Sequence, residues 1–497
     1  MLRKGSLYYE EIAKRYPEFP IYTLGLPKGK LYIVTGPDLV YAVDRQPKAF
    51  SFNPILVEFA RRLFGASPEA VEKLSTYTQG RHGEGLNPEI LRAQHDTLAP
   101  GKHLASMDMV MLQGVLDYFD TKSQSSEHGH EIALCAFFRD LTTVVSTRAV
   151  YGPKHNPYED KAVRDGLWDI YSDFAWLGLN FLPEIITPKG NAGRTRIFHA
   201  MQKYFANNGP QTASALIQAR AKIQKMHDVP QSDIDQFEFG ISFALVANSA
   251  ATMFWVVYYA YSLPEWLEEI RKEILSLGSI REQLESVASS KLGPGETAVE
   301  SSPPVLVNVA EVVEKCVLVT SFINEILRVQ STSASARVVM EDTLLDGKYL
   351  LKKGNFVLSP SAVMHRDEKA WGPTAGKFDP RRFISPKGQR GRSDDDKEAG
   401  KRRREQQQQQ HRVPISAHRT WGGGVNHCPG RHFAMHEFVA VLVVMVLQYD
   451  VVPSSGSWVF PKTMGHLAAS IMQPVKDVKA VIRERRDVPH WDFVWRT

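Results

Sequence analysis

The uncharged run from Phe239 to Leu263, FGISFALVANSAATMFWVVYYAYSL, leaves the chain two physical solutions. As a helix it is long enough to cross a bilayer of about 30 Å, or it must be buried on all sides in a large protein core. Ser242, Asn248, Ser249 and Thr252 lie along it, and the acidic residues Asp233, Asp235 and Glu238 lead into it. Acids at a helix start oppose the positive end of its dipole. The expectation is a long core helix, not a spanning one. A chain of 497 residues, 43% hydrophobic and 23% charged, has the length and composition to bury it.

Charge and cysteine content exclude other classes. A net charge of +5 is small for this length and argues against nucleic acid as a partner. Cys135, Cys316 and Cys428 are far apart in sequence, which excludes a dense disulfide framework and a CxxC-type zinc site. Met1 to Tyr16 has no apolar run long enough for a signal peptide or spanning helix, so an N-terminal membrane anchor is expected to be absent from this sequence.

Periodicity predicts a short helix over Ser6 to Arg15, then strands over Pro20 to Leu24 and Lys30 to Val34 around a glycine-containing turn. From about Leu104 to Tyr261 the apolar spacing is helical, with breaks at Gly152-Pro153, Pro183, Pro188 and Pro210. Pro264 opens an amphipathic surface helix. The polar stretch Ser286 to Pro304 reads as a loop, and short β-like segments follow a helix that ends near Val329. Residues 387–411, with a Lys401 to Arg404 basic run and five glutamines, have almost no apolar residue and read as a disordered low-complexity insert. The fold class expected is mainly α with smaller β-sheets (α+β): one large domain over 1–497, with a helix-rich body and a small β-rich lobe.

The most informative motif is Trp421-Gly-Gly-Gly-Val-Asn-His-Cys-Pro-Gly-Arg431, followed by the apolar run His432 to Leu447. Backbone N–H groups in a glycine-rich turn stabilise a thiolate at Cys428, and a thiolate is a metal ligand. No second cysteine or paired carboxylate stands nearby to complete a zinc site. A single axial thiolate suffices for a heme iron, because the porphyrin supplies the other four ligands. Gly422, Gly424 and Gly430 would let the backbone lie against a flat macrocycle beside Trp421.

WGGGVNHCPGR resembles the cysteine-ligand loop of the cytochrome P450 family. Phe322-Ile-Asn-Glu-Ile-Leu-Arg328 matches that family's ExxR helix, and Phe378-Asp-Pro-Arg-Arg-Phe383 its meander, in the family's order. Glu325 and Arg328 are i,i+3 on one helical face, and Arg382 is expected to join them in a structural triad. The resemblance implies the P450 fold and heme b, with Cys428 as the iron ligand and Arg337 paired to a heme propionate. Two departures stand out. Asn426 occupies a position where many relatives carry Arg or His, and no WxxxR signature is visible. Lys102 or His103 is the candidate substitute, an exposed basic residue being the alternative reading.

The long helix departs further. Relatives that activate dioxygen usually show Ala/Gly-Gly-x-acid-Thr, whose acid and alcohol relay protons. Here Ala247-Asn248-Ser249-Ala250-Ala251-Thr252 puts alanines at both positions. Together with Phe254-Trp255, Trp421 and Asn-His-Cys, this resembles the subgroup containing prostacyclin synthase and the sterol 7α- and 12α-hydroxylases. The resemblance implies a membrane-associated monooxygenase of sterol, terpenoid or other secondary metabolism, using dioxygen and electrons from NADPH-cytochrome P450 reductase. Its substrate pocket would be lined by Phe243, Val246, Ala247, Ala250, Ala251, Ser335 and Leu467. Asn248 or Thr252 would orient water for proton delivery; for Thr252 the alternative is a bond to its own helix backbone. The competing function is an isomerase or dehydratase that acts on a peroxide or pre-oxidised substrate without NADPH or dioxygen. The expected location is the endoplasmic reticulum membrane if an anchor has been lost, and otherwise the cytoplasm or a membrane periphery.

Overall fold

The continuous apolar run Leu31 to Val34, buried throughout, sits inside a mixed sheet. In the computed structural model, which describes residues 7–27, 29–76, 85–123, 129–290, 303–384, 417–466, 468–486 and 488–497, the chain divides into two compact units. The first comprises Met1–Leu56, Asn324–Cys428 and Met464–Gln473. The second comprises Val57–Ile323, Pro429–Thr463 and Pro474–Thr497. The low-complexity segment 387–411 and Leu467 lie outside the described residues.

The first unit is built on a five-stranded sheet, with strand order Ile21–Leu26, Gly29–Val34, Phe356–Pro360, Ala334–Val339, Phe50–Ser51. Only the Gly29–Val34/Phe356–Pro360 pairing is parallel, with Ile33 opposite Leu358. Tyr32, Val34, Val339 and Val357 pack with Leu39, Val40 and Val43 of the helix Pro37–Asp44 and with Phe50, Leu345, Leu351 and Met364. Each fully buried side chain of this kind is worth about 1.5–3 kcal/mol. This packing holds strand Ala334–Val339, which carries Arg337, and the end of helix Pro37–Asp44 in one unit. The segment Ser470 to Met472 is bonded to the end of the ExxR helix: Thr332 N donates to Ser470 O at 2.7 Å and Met472 N to Gln330 O at 2.9 Å.

The second unit is helical. Its centre is the helix Gln231–Ser262, in which Val246, Met253, Phe254, Trp255, Val256 and Val257 are buried. Helices Leu134–Tyr151 and Arg431–Gln448 pack against it. Two described helices, Gln231–Ser262 and Arg431–Gln448, are long and apolar enough to cross a membrane, and both are mostly buried within protein. The core reading of the uncharged run therefore holds. The polar stretch Ser286 to Pro304 differs from the expected loop in its first residues, because the helix Gly278–Ser290 runs through Ser286. Ile280 is buried on it, and Gln283 exchanges two hydrogen bonds with the Leu306 backbone, at 2.8 and 3.1 Å. These tertiary bonds outweigh the weak helix propensity of its serines.

Candidate functional site

In the first unit Glu325 and Arg328 stand one turn apart, both completely buried. Arg328 meets the carboxylate bidentately, Nε to Oε2 and Nη2 to Oε1 each at 2.7 Å. Arg382 Nε approaches the same two oxygens at 3.1 and 3.2 Å, and the Asp379 amide donates to Oε1 at 2.9 Å. The expected triad is present as a geometric unit. Its arginines also bind backbone carbonyls: Arg328 donates to His365, Ala375 and Lys377, and Arg382 to Thr374 and Lys377. One carboxylate and five backbone carbonyl bonds engage the two guanidiniums, and these hydrogen bonds compensate the burial of a triad whose net charge is +1. It staples the ExxR helix to the meander.

The cysteine loop is closed by its own backbone, Cys428 N donating to Trp421 O at 2.8 Å and His427 N to Gly424 O at 3.2 Å. Cys428 and Trp421 are half-buried, and Gly424 is exposed. Gly422 and Gly424 adopt φ of 77° and 61°, in the left-handed region that costs a β-carbon-bearing residue roughly 1–2 kcal/mol. Gly423 is required for space instead. A β-carbon there would lie 1.9 Å from Arg419 Nη1 and 2.7 Å from Asp44 Oδ2.

That contact exposes two residues the sequence did not single out. Arg419, 3% exposed in its side chain, forms an ion pair with Asp44 at the end of helix Pro37–Asp44. Its Nη2 also donates to Ser335 Oγ at 3.2 Å. Arg337, 8% exposed, reaches the Gly423 carbonyl at 3.4 Å and stands 4.0 Å from Asp44. Burial pulls its pKa down, opposed by the Asp44 charge. Two buried guanidiniums thus share one carboxylate, and Arg419 Nε has no hydrogen-bond partner among the described residues. An unbalanced buried cation with an orphaned donor, lying against a glycine loop with a half-buried thiol, fits a flat, carboxylate-bearing group ligated by Cys428. Ser335, expected at the substrate, is placed on Arg419.

In the second unit the long helix gathers Phe243, Val246, Ala247, Ala250 and Ala251, all buried. Phe243 stacks on Phe174 with centroids 5.4 Å apart. Asn248 is half-buried, and Thr252 Oγ1 donates to its carbonyl at 2.9 Å. Gly430 caps the helix Arg431–Gln448. Lys102 and His103 are exposed at the start of helix Lys102–Ser123, which favours the ordinary reading of a solvated helix terminus.

A lone cysteine in a glycine loop, a buried Glu-Arg-Arg triad and a pair of buried arginines thus stand together in the first unit. A cytochrome P450 family model matches residues 305–479. The chain is 27% identical over 98% of its length, and 88% of the relative's, to "Cytochrome P450 monooxygenase nodJ" of Hypoxylon pulicicidum. It is 26% identical to "Cytochrome P450 7B1" of Mus musculus, over 90% of this chain and 84% of that one. To the human "7-alpha-hydroxycholest-4-en-3-one 12-alpha-hydroxylase" it is 25% identical, over 80% and 75%. In fold it is similar to the cytochrome P450DA heme domain, with a TM-score of 0.65 and 16% identity over 99% of this chain and 94% of that one. The family-model match takes in the triad and the cysteine loop, and the chain is similar over 80–98% of its length to proteins named as a cytochrome P450 monooxygenase, a cytochrome P450 and a 12-alpha-hydroxylase. These similarities bear out the P450 resemblance and an oxidoreductase of the monooxygenase class.

Proposed function

We propose that this enzyme oxidises a lipophilic small molecule, a sterol, terpenoid or other secondary metabolite, using dioxygen and electrons from NADPH-cytochrome P450 reductase. The observation that carries this reading is Cys428, a half-buried thiol in a backbone-closed loop beside Arg337 and Arg419. The group it would hold is heme b, iron protoporphyrin IX, which supplies the redox chemistry when bound. Cys428 would ligate the iron through Sγ, and Arg337 and Arg419 would pair with the propionates. Phe243, Val246, Ala247, Ala250 and Ala251 would present the substrate with an apolar wall, the small alanines leaving room for a bulky ring system. Asn248 would orient the water that delivers protons. The name of the 12α-hydroxylase relative supports a sterol-like substrate.

The long helix also favours a second reading. Alanines replace the usual acid and alcohol, and the Thr252 hydroxyl is bonded to the helix. A site without a proton relay suits an isomerase or dehydratase acting on a hydroperoxide. The test is a pair of reactions: reductase, NADPH and isotopically labelled dioxygen with a lipophilic panel, and fatty-acid hydroperoxides without reductant. Label in the product, dependent on NADPH, supports the first reading. Rearranged hydroperoxide without label replaces it with the second.

A membrane surface completes the proposal. Trp176, Leu179, Phe181, Leu182, Ile185 and Ile186 are exposed within one short stretch of chain, Ile185 to 74%. A concentrated apolar patch of this kind suits the interface of a lipid bilayer, and the endoplasmic reticulum is the location that fits a reductase partner.

A further inference from the structure

His365 bridges the triad to the cysteine loop through its two ring nitrogens. Its Nδ1 lies 3.0 Å from the Arg328 carbonyl, and the Arg419 amide points at its Nε2 at 2.8 Å. An amide N–H can only donate, so Nε2 is the acceptor and Nδ1 carries the proton. Arg328 Nη1 returns a bond to the His365 carbonyl at 2.5 Å. His365 is completely buried. Burial first, and then the nearby His418, Arg328 and Arg366, hold its pKa well below the ordinary range, which agrees with a neutral ring.

The next links are already in place. Arg419, whose amide the ring holds, carries the guanidinium that binds Asp44 and Ser335 and underlies Gly423. Its carbonyl accepts the Gly422 amide at 3.1 Å, the first bond of the loop that closes on Cys428. Every member belongs to the first unit. The geometry points to His365 as a positioning residue: its Nδ1–H tautomer couples the Glu325-Arg328-Arg382 triad to the Arg419 backbone and so sets the register of the Cys428 loop. This rests on the heme-thiolate reading of Cys428.

Two substitutions separate its bonds. In His365→Asn the amide nitrogen can donate to the Arg328 carbonyl near the Nδ1 position, and the Arg419 amide loses its acceptor. In His365→Gln the longer side chain brings a carbonyl oxygen toward the Nε2 position, so the Arg419 amide keeps an acceptor and the Arg328 carbonyl loses its donor. Holoenzyme of each variant is compared by hydrogen–deuterium exchange over residues 417–430 and by the share of its ferrous–carbonyl absorption that is thiolate-ligated. The expected result is about tenfold faster loop exchange and a reduced thiolate-ligated share in His365→Asn, the size of one lost buried hydrogen bond. His365→Gln is expected to stay within about twofold of the parent. Equal effects in both variants overturn the coupling. So does ¹⁵N magnetic resonance of the unsubstituted holoenzyme that finds the proton on Nε2 or on both nitrogens, a result independent of whether either variant folds. If the unsubstituted holoenzyme itself gives no thiolate-ligated carbonyl band, the heme-thiolate reading fails instead.

Discussion

Thr252 Oγ1 donates to the Asn248 backbone carbonyl at 2.9 Å, which commits the hydroxyl proton to the helix. Thr252→Val is therefore expected to change turnover by less than about threefold, whereas Asn248→Leu lowers product formed per electron by on the order of a hundredfold, a typical share for proton delivery. Coupling measured as product against NADPH consumed checks both. A large loss in Thr252→Val with Asn248→Leu unaffected would transfer the role to the hydroxyl.

Asp44 is the carboxylate between Arg419 and Arg337. In heme-free Asp44→Asn protein two buried guanidiniums face each other without an anion, and breaking a buried pair costs about 3–5 kcal/mol. Thermal melts should show a marked loss of stability. A melting temperature unchanged within error would show that the pair contributes nothing.

Gly423→Ala puts a β-carbon 1.9 Å from Arg419 Nη1, a guanidinium already fixed by Asp44 and Ser335. The arginine must move or the loop must shift. Heme content after purification is expected to fall at least tenfold, roughly the effect of 1.4 kcal/mol. Full heme occupancy would mean that the Arg419 side chain yields easily.

Glu437 is completely buried, accepts a hydrogen bond from Ser146, and has no partner for Oε2 among the described residues. Burial raises its pKa to about 8, with the Ser146 bond opposing. An acid whose folded pKa lies above its unfolded value of 4.5 binds more protons in the folded state, so stability is lost as pH rises from about 4.5 to about 8. Glu437→Gln removes this term. Its melting temperature relative to the parent should climb across that window and level off above pH 8. A difference that stays flat from pH 5 to pH 9 would be incompatible with a protonated Glu437.

Trp176, Phe181 and Ile185 are 61%, 65% and 74% exposed. Replacing all three with serine should reduce co-sedimentation with phosphatidylcholine vesicles by at least tenfold while leaving the melting temperature unchanged, since exposed side chains contribute little to folding. Equal sedimentation of parent and variant would remove this patch from the membrane proposal.

Much of the architecture was legible because it depends on local spacing. The helix Leu7–Arg15 and the strand pair Ile21–Leu26 and Gly29–Val34 fall close to their expected bounds, as periodicities of 3.6 and 2 allow. Glu325 and Arg328 share a face because i,i+3 geometry places them there, and the cysteine loop announced itself through residues needed for left-handed turns and close packing. The helix Gly278–Ser290 was not legible, because its last turns depend on Gln283 binding the Leu306 backbone. The same holds for Asp44, His365 and Arg419. Asp44 and Arg419 are 375 positions apart, and His365 and Arg419 are 54 apart, and no periodicity relates them. Local spacing was enough for the helix Leu7–Arg15, the glycine-rich cysteine loop and the Glu325-Arg328 pair, since each is a short-range consequence of the order of side chains. That one carboxylate serves two arginines under Gly423, and that one imidazole joins the triad to the loop, follows from long-range folding alone, because those bonds exist only after strands from both ends of the first unit have paired into one sheet.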